Sequence, residues 1–124
     1  MISKQKNRYL LIETSEQLDT RDRVSSSSLL DALNAEMGHT GFLRANPRIV
    51  CTMDDYSFII RVNRGCEHDF ILATAFVKRI AGREIGLYTI STSGTIRKLL
   101  GIAGRSYPSR TERTPQGLQS KSLI

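Results

Sequence analysis

The sequence predicts an α+β fold of the split βαβ kind, with a four-stranded antiparallel sheet, two helices on one face and a short C-terminal helix. Three observations carry this prediction. Strand-like and helix-like segments follow one another as strand, helix, strand, strand, helix, strand, helix. Arg48 to Asp54 and Ser57 to Arg64 form two alternating runs around a tight turn at Asp55-Tyr56, a hairpin pattern. Gly38 and Gly82 each close a stretch of helical spacing. At 124 residues, with 40% apolar and 24% charged residues, the chain suffices for one domain with one core.

Residues 1–7 read as a basic polar arm, and Arg8 to Thr14 as a first strand of apolar residues between polar ones. Ser15 to Arg23 has charges of both signs without period and reads as a loop. Ser25 to Ser28 offer helix caps, and Leu29, Leu30, Leu33 and Met37 then recur at helical spacing, with Asp31 in the first turn. His39 to Pro47 reads as a loop. In the hairpin, placing Asp54 opposite Ser57 sets Ile49, Cys51 and Met53 against Val62, Ile60 and Phe58 on the core face. Arg48, Val50 and Thr52 then oppose Asn63, Arg61 and Ile59 on the other face.

Glu67 to Ala81 reads as a second helix buried through Phe70, Ala73, Thr74, Val77 and Ile80/Ala81, with acids at its start and Lys78 and Arg79 at its end. Ile85 to Thr92 is the fourth strand. Thr95 to Ala103 is a third helix with Ile96, Leu99, Leu100 and Ala103 along one side. Residues 1–103 thus form a single ferredoxin-like (RRM-like) domain, and the Ser-, Arg- and Pro-containing residues 104–124 a disordered basic tail. The sheet face away from the two helices is too apolar to stay bare. Val50 and Ile59 on it are expected to meet a protein partner, or the third helix to cover part of it.

Charge narrows the function. Residues 1–60 hold seven Lys/Arg against eight Asp/Glu, and residues 61–124 hold eleven against four. A neutral half joined to a basic half predicts a polyanionic partner, nucleic acid first. No apolar run is long enough to span a bilayer, and no apolar stretch of signal-peptide type follows the basic start. Two cysteines, Cys51 and Cys66, make no disulfide framework. The expectation is a cytoplasmic protein with no membrane contact.

Candidate chemistries thin out quickly. Cys66-Glu67-His68-Asp69 has the wrong spacing for a zinc pair, and no second pair answers it. His39 and His68, the two histidines, belong to no nucleophile signature, and the Asp54-Asp55 carboxylates fit a turn. Gly101 to Gly104 is a helix end and not a phosphate loop. No catalytic residue, metal or cofactor is expected on this chain.

For nucleic acid, the RNA-binding modules built on this fold stack bases on aromatics of the central strand. Phe58, the aromatic of that strand, falls on the core face, so recognition should instead run through cations. These are Lys6, Arg8, Arg61, Arg64, Arg97 and Lys98, suited to phosphates of a folded RNA. The turn Ser93-Gly94-Thr95 between the last strand and the third helix adds backbone amides at a helix N-terminus, where Gly94 lets the chain turn. Simple helix capping is the competing reading of that turn.

Four motifs in this order resemble one family: Arg8-Tyr9-Leu10-Leu11, Ala45-Asn46-Pro47, Ile60-Arg61-Val62-Asn63-Arg64 and Ser93-Gly94-Thr95-Ile96-Arg97-Lys98. Over residues 8–100 the chain resembles protein component 2 of archaeal/eukaryotic-type ribonuclease P. The resemblance implies a non-catalytic subunit of an endoribonuclease whose RNA carries the active site and its magnesium ions and removes the 5′ leader of precursor tRNA. It implies ribonuclease P RNA, protein component 3 and the other protein subunits as partners, and precursor tRNA as substrate of the holoenzyme. It also allows a homodimer within a heterotetramer. Two other classes remain open at this point. A ferredoxin-like small-molecule regulatory or protein-interaction module would bind its ligand without salt dependence. A nuclease acting alone would depend on Asp54 or Asp55.

Overall fold

In the computed structural model, which describes residues 7–105, the chain runs β1 (Asn7–Thr14), α1 (Arg23–Met37), α2 (His39–Ala45), β2 (Arg48–Asp54), β3 (Ser57–Asn63), α3 (Glu67–Phe76), β4 (Arg79–Ile80), β5 (Arg83–Glu84), β6 (Leu87–Ser93) and α4 (Ile96–Arg105). The expected arm through residue 6 and the expected tail from residue 106 onward lie outside the described residues. Asn7 already pairs in β1, opposite Asn63, and α4 carries the chain two residues past the expected end of the domain.

The main sheet is antiparallel in the order β2-β3-β1-β6, the strand order of the predicted fold. Its two central strands supply the core. Leu10 and Ile12 of β1 and Phe58, Ile60 and Val62 of β3 pack under Leu29 and Leu33 of α1 and Phe70 of α3. Burial of a side chain of this size is worth roughly 1.5–3 kcal/mol, so this layer dominates the stability. The alternate residues face the other way. Leu11, Ile59 and Leu99 form a second buried cluster, flanked by Tyr9, Cys51, Met53, Ile96 and Ile102. The C-terminal helix, α4, therefore covers part of the apolar outer face, as expected, but through Ile96, Leu99 and Ile102. Leu100 stays exposed.

Four expectations need correction. The first concerns register. Asp54 does face Ser57, but the pairing shifts between Thr52 and Asp54 and again between Ile49 and Cys51. A bulge sets two residues against one, so strict alternation fails along this edge strand. Cys51 now opposes Ile59, and Cys51 and Met53 join the outer cluster, while Thr52 turns inward and bonds Thr20 Oγ1 at 2.7 Å. Ile59 is fully buried beneath α4, so it offers no surface to a partner; Val50, at the bulge, does reach the surface.

The second concerns the start of α1, which begins two residues before the serines. Asp22 is the cap, its carboxylate accepting from Ser25 N at 3.0 Å and Ser25 Oγ at 3.1 Å. Asp31 consequently sits mid-helix. The third is α2, where a loop was expected. Gly38, at φ 79°, ends α1 and starts α2 at once, and left-handed Asn46 ends α2 just before Pro47.

The fourth is the length of α3, which stops at Phe76. Val77 is extended, and the chain makes a small hairpin, β4–β5, before β6. Val77, Ile80 and Ile85 are buried from that hairpin and its flanks, which satisfies the same apolar spacing without a helix. Ala81 and Gly82 form its two-residue turn at φ 53° and 78°, the left-handed pair that such turns need. Ala81 is the costly member, because its Cβ crowds the carbonyl there. Ala81→Gly is expected to raise the unfolding free energy by about 0.5–1 kcal/mol, read from urea denaturation at constant m-value.

Candidate nucleic-acid interface

Strand direction gathers cations that are scattered in the sequence at one end of the sheet. β1 and β2 begin at the end of the sheet where β3 and β6 finish. That end carries Arg8, Arg48, Arg61, Arg64, Arg97 and Lys98. The opposite end, where β2 turns into β3, carries Glu13, Asp54 and Asp55, beside the loop bearing Glu16 and Asp19. The two helices that start at the basic end, α3 after β3 and α4 after β6, add the positive ends of their dipoles.

At this end Asn7, Arg8, Tyr9, Arg64 and Gly94 line a cavity of about 300 Å³. Residues from β1, the β3–α3 turn and the β6–α4 turn are brought together there, although they lie far apart in sequence. Arg8 anchors the group. It projects on the helix side of the sheet, and its Nη1 lies 3.6 Å from where a Cβ on Gly94 would stand. Its Nε lies 3.4 Å from the Glu67 carboxylate, and the two side chains are 31% and 28% exposed. That Nε is buried and has no hydrogen-bond partner among the described residues, so Glu67 holds it by charge.

Glu67 is itself fixed. Its carboxylate accepts from Gly65 N–H at 2.5 Å, in a turn that glycine makes at φ 96°. Its own backbone N–H is the main cause that keeps the carboxyl below the ordinary glutamate range. Burial pushes the other way, and Gly65 N–H and the charges of Arg8 and Arg64 add to the lowering. The stability this confers is complete above the ordinary glutamate range and is lost as pH falls through the lowered value.

The turn before α4 is both a cap and part of the cavity wall. Ser93 Oγ accepts from Thr95 N at 3.1 Å, and Thr95 Oγ1 accepts from Lys98 N at 3.4 Å. The Thr95 amide is thus engaged within the turn, whereas the first-turn amides of Ile96 and Arg97 have no acceptor inside the helix. Ser93 is buried and Gly94 exposed. Gly94 is not in the left-handed region, so its smallness, and not an unusual turn, is what it brings to the cavity. Arg97 and Lys98 lie exposed on the first turn of α4, beside the cavity wall but not lining it.

Arg61 lies apart from the cavity, on the outer face, between Tyr9 of β1 and Arg48 of β2. Like charges directly opposite on neighbouring strands cost roughly 0.2–1 kcal/mol, which an anion between them would offset. Arg48 is absent from the cations singled out in the sequence, because uninterrupted alternation sets it against Asn63. Glu67 is absent too, since nothing in its spacing signals Arg8. Lys6 falls outside the described residues.

The carboxylates considered for catalysis are engaged in hydrogen bonds around the β2–β3 turn. Asp54 Oδ1 accepts from Tyr56 N at 2.7 Å and Ser57 Oγ at 3.0 Å, and Asp55 binds Gln17 and Arg21 at 2.6 and 2.9 Å. Both sit at the end of the sheet opposite the Arg8–Arg64 cavity. Among the described residues, no group of three His, Cys, Asp or Glu side chains gathers to hold a metal ion, and no helix is long and apolar enough to cross a membrane. Cys51 and Cys66 are free thiols.

Comparison with known proteins places the chain among ribonuclease P and MRP proteins in sequence and in fold. The model of the Rpp14/Pop5 family matches residues 8–102. A protein from Methanoculleus marisnigri described as ribonuclease P protein component 2 is 32% identical over 98 residues. That match covers 76% of this chain and 59% of the relative, so the chain spans less than two thirds of the relative's length. A chain in the cryo-EM structure of yeast ribonuclease MRP shares the fold at a TM-score of 0.51 and 12% identity, covering 86% of this chain and 97% of that one.

Proposed function

The chain belongs to the Rpp14/Pop5 family, and from that premise we propose that it is a non-catalytic protein subunit of ribonuclease P that binds the catalytic RNA and supports removal of the 5′ leader from precursor tRNA. The observation that carries the RNA-binding part is the convergence of Arg8, Arg64 and Gly94 on one cavity between two helix N-termini. Separate family-like motifs meet there, and the meeting point is cationic and open. Such a place suits a phosphodiester, whose oxygens take charge-assisted hydrogen bonds from guanidinium groups. Arg97 and Lys98 on α4 and the Arg48–Arg61 pair on the outer face extend the basic surface around the same end of the molecule.

The chain's own part in this reading is positioning. Arginine forks fix the register of an RNA backbone without reading its bases, and no proton or electron passes through the protein. The magnesium ions would be held by the RNA. Protein component 3 is the expected neighbour, and a second copy of the chain fits the same assembly. The buried state of Ile59 directs any protein contact to other surfaces, such as the edge at Val50. Reconstitution tests the function as a whole. The ribonuclease P RNA with component 3 and this chain should cleave precursor tRNA faster than the RNA with component 3 alone. Equal rates with and without the chain would overturn the proposal, as would cleavage by the isolated protein that is lost with Asp54→Asn.

A further inference from the structure

Glu67 is an acid placed where the rest of the surface invites an anion. Its geometry explains why. The Arg8 guanidinium has two usable edges. The Nε edge faces Glu67 at 3.4 Å, whereas Nη1 lies 3.6 Å from where a Cβ on Gly94 would stand, at the wall of the cavity that both residues line. Glu67 therefore occupies one edge and leaves the other for a ligand. It is held from behind by Gly65 N–H and stands at the first residue of α3, where the helix dipole favours its charge. Without it, the buried Arg8 Nε would face no counter-charge, and the side chain would gain by swinging out to water.

We propose that Glu67 is a positioning residue, fixing Arg8 by its Nε edge so that the Nη edge meets an RNA phosphodiester in the cavity lined by Arg64 and Gly94. This rests on the RNA-binding reading above and adds to it a residue of the opposite charge. It makes a prediction against simple electrostatics. Removing one negative charge beside a polyanion site should tighten binding if charge alone matters. If Glu67 positions Arg8, the same change weakens binding.

Two variants separate these outcomes. Glu67→Gln keeps the length and an acceptor for Gly65 N–H but removes the charge. Glu67→Asp keeps the charge and suits a helix start, but is one methylene too short to reach Arg8. Affinity for the ribonuclease P RNA, measured with the full chain, should fall about fivefold in each variant. The log–log salt slope should become shallower by about 0.7–0.9, the loss of one phosphate contact. In an Arg8→Ala background neither substitution should have a further effect. Unchanged or tighter binding by Glu67→Gln, with Glu67→Asp like the wild type, would overturn the proposal. So would an equal loss in the Arg8→Ala background, which would place the effect in the start of α3. A wild-type protein that shows no salt-dependent affinity for this RNA would instead overturn the RNA-binding reading itself.

Discussion

Leu99→Ala is expected to lower the unfolding free energy by about 2–5 kcal/mol, although Leu99 lies outside the main core. Leu99 is fully buried, and it is the one residue of α4 that is so among the described residues. It closes the second cluster by packing on Leu11 and Ile59, while Ile96 and Ile102 touch the rim. Truncation leaves a cavity between helix and sheet and takes away the most deeply buried contact of α4. The capping bonds at Ser93 and Thr95 are local and do not bind the helix to the sheet. Urea denaturation at 25 °C reads the loss. A change below about 1 kcal/mol would show that α4 does not seal the outer face. The variant also bears on function, because Arg97 and Lys98 ride on the same helix.

Arg8→Ala combined with Arg64→Ala is expected to weaken binding to the ribonuclease P RNA by about 10- to 100-fold. Both side chains line the cavity, and each gives up a charge-assisted contact. Arg64 is exposed, so its loss costs the fold little. Arg8 is paired with Glu67, so its loss removes a partly buried ion pair that the surrounding packing outweighs. Circular dichroism of the variant should therefore stay that of the wild type while affinity drops. Arg97→Ala with Lys98→Ala should act in the same direction with a smaller effect, since these residues stand beside the cavity wall.

Most of the fold was legible because its signals are periodic. β1, β2, β3 and β6 each show the apolar content of a half-buried strand, and their order fixes the sheet. The places where the reading failed share a physical cause, in that local pattern did not decide between two structures. Val77 and Ile80 are buried whether the chain is helical or turned back in the β4–β5 hairpin, and the Ala81-Gly82 turn tips the balance. Cys51 and Met53 fit either face of β2 until the bulges at this edge strand are known. At α2, Asn46-Pro47 was a stop signal with no strong apolar stripe before it to reveal the helix. Of the interface, the sequence yields the cations but not their grouping. Arg8, Arg64 and Gly94 meet because three strand ends coincide, and that is a property of the topology. The Arg8–Glu67 contact spans most of the domain's length in sequence and leaves no trace in spacing.

The most direct measurement is the affinity of the wild-type protein for the ribonuclease P RNA across a salt series, repeated with the Arg8→Ala/Arg64→Ala protein. If phosphates seat in the cavity, log affinity falls linearly with log salt by about 0.7–0.9 per phosphate engaged, and the double variant shows a slope shallower by roughly two such steps. A flat response in the wild type, or the same slope and affinity in both proteins, would contradict RNA binding at this end of the sheet.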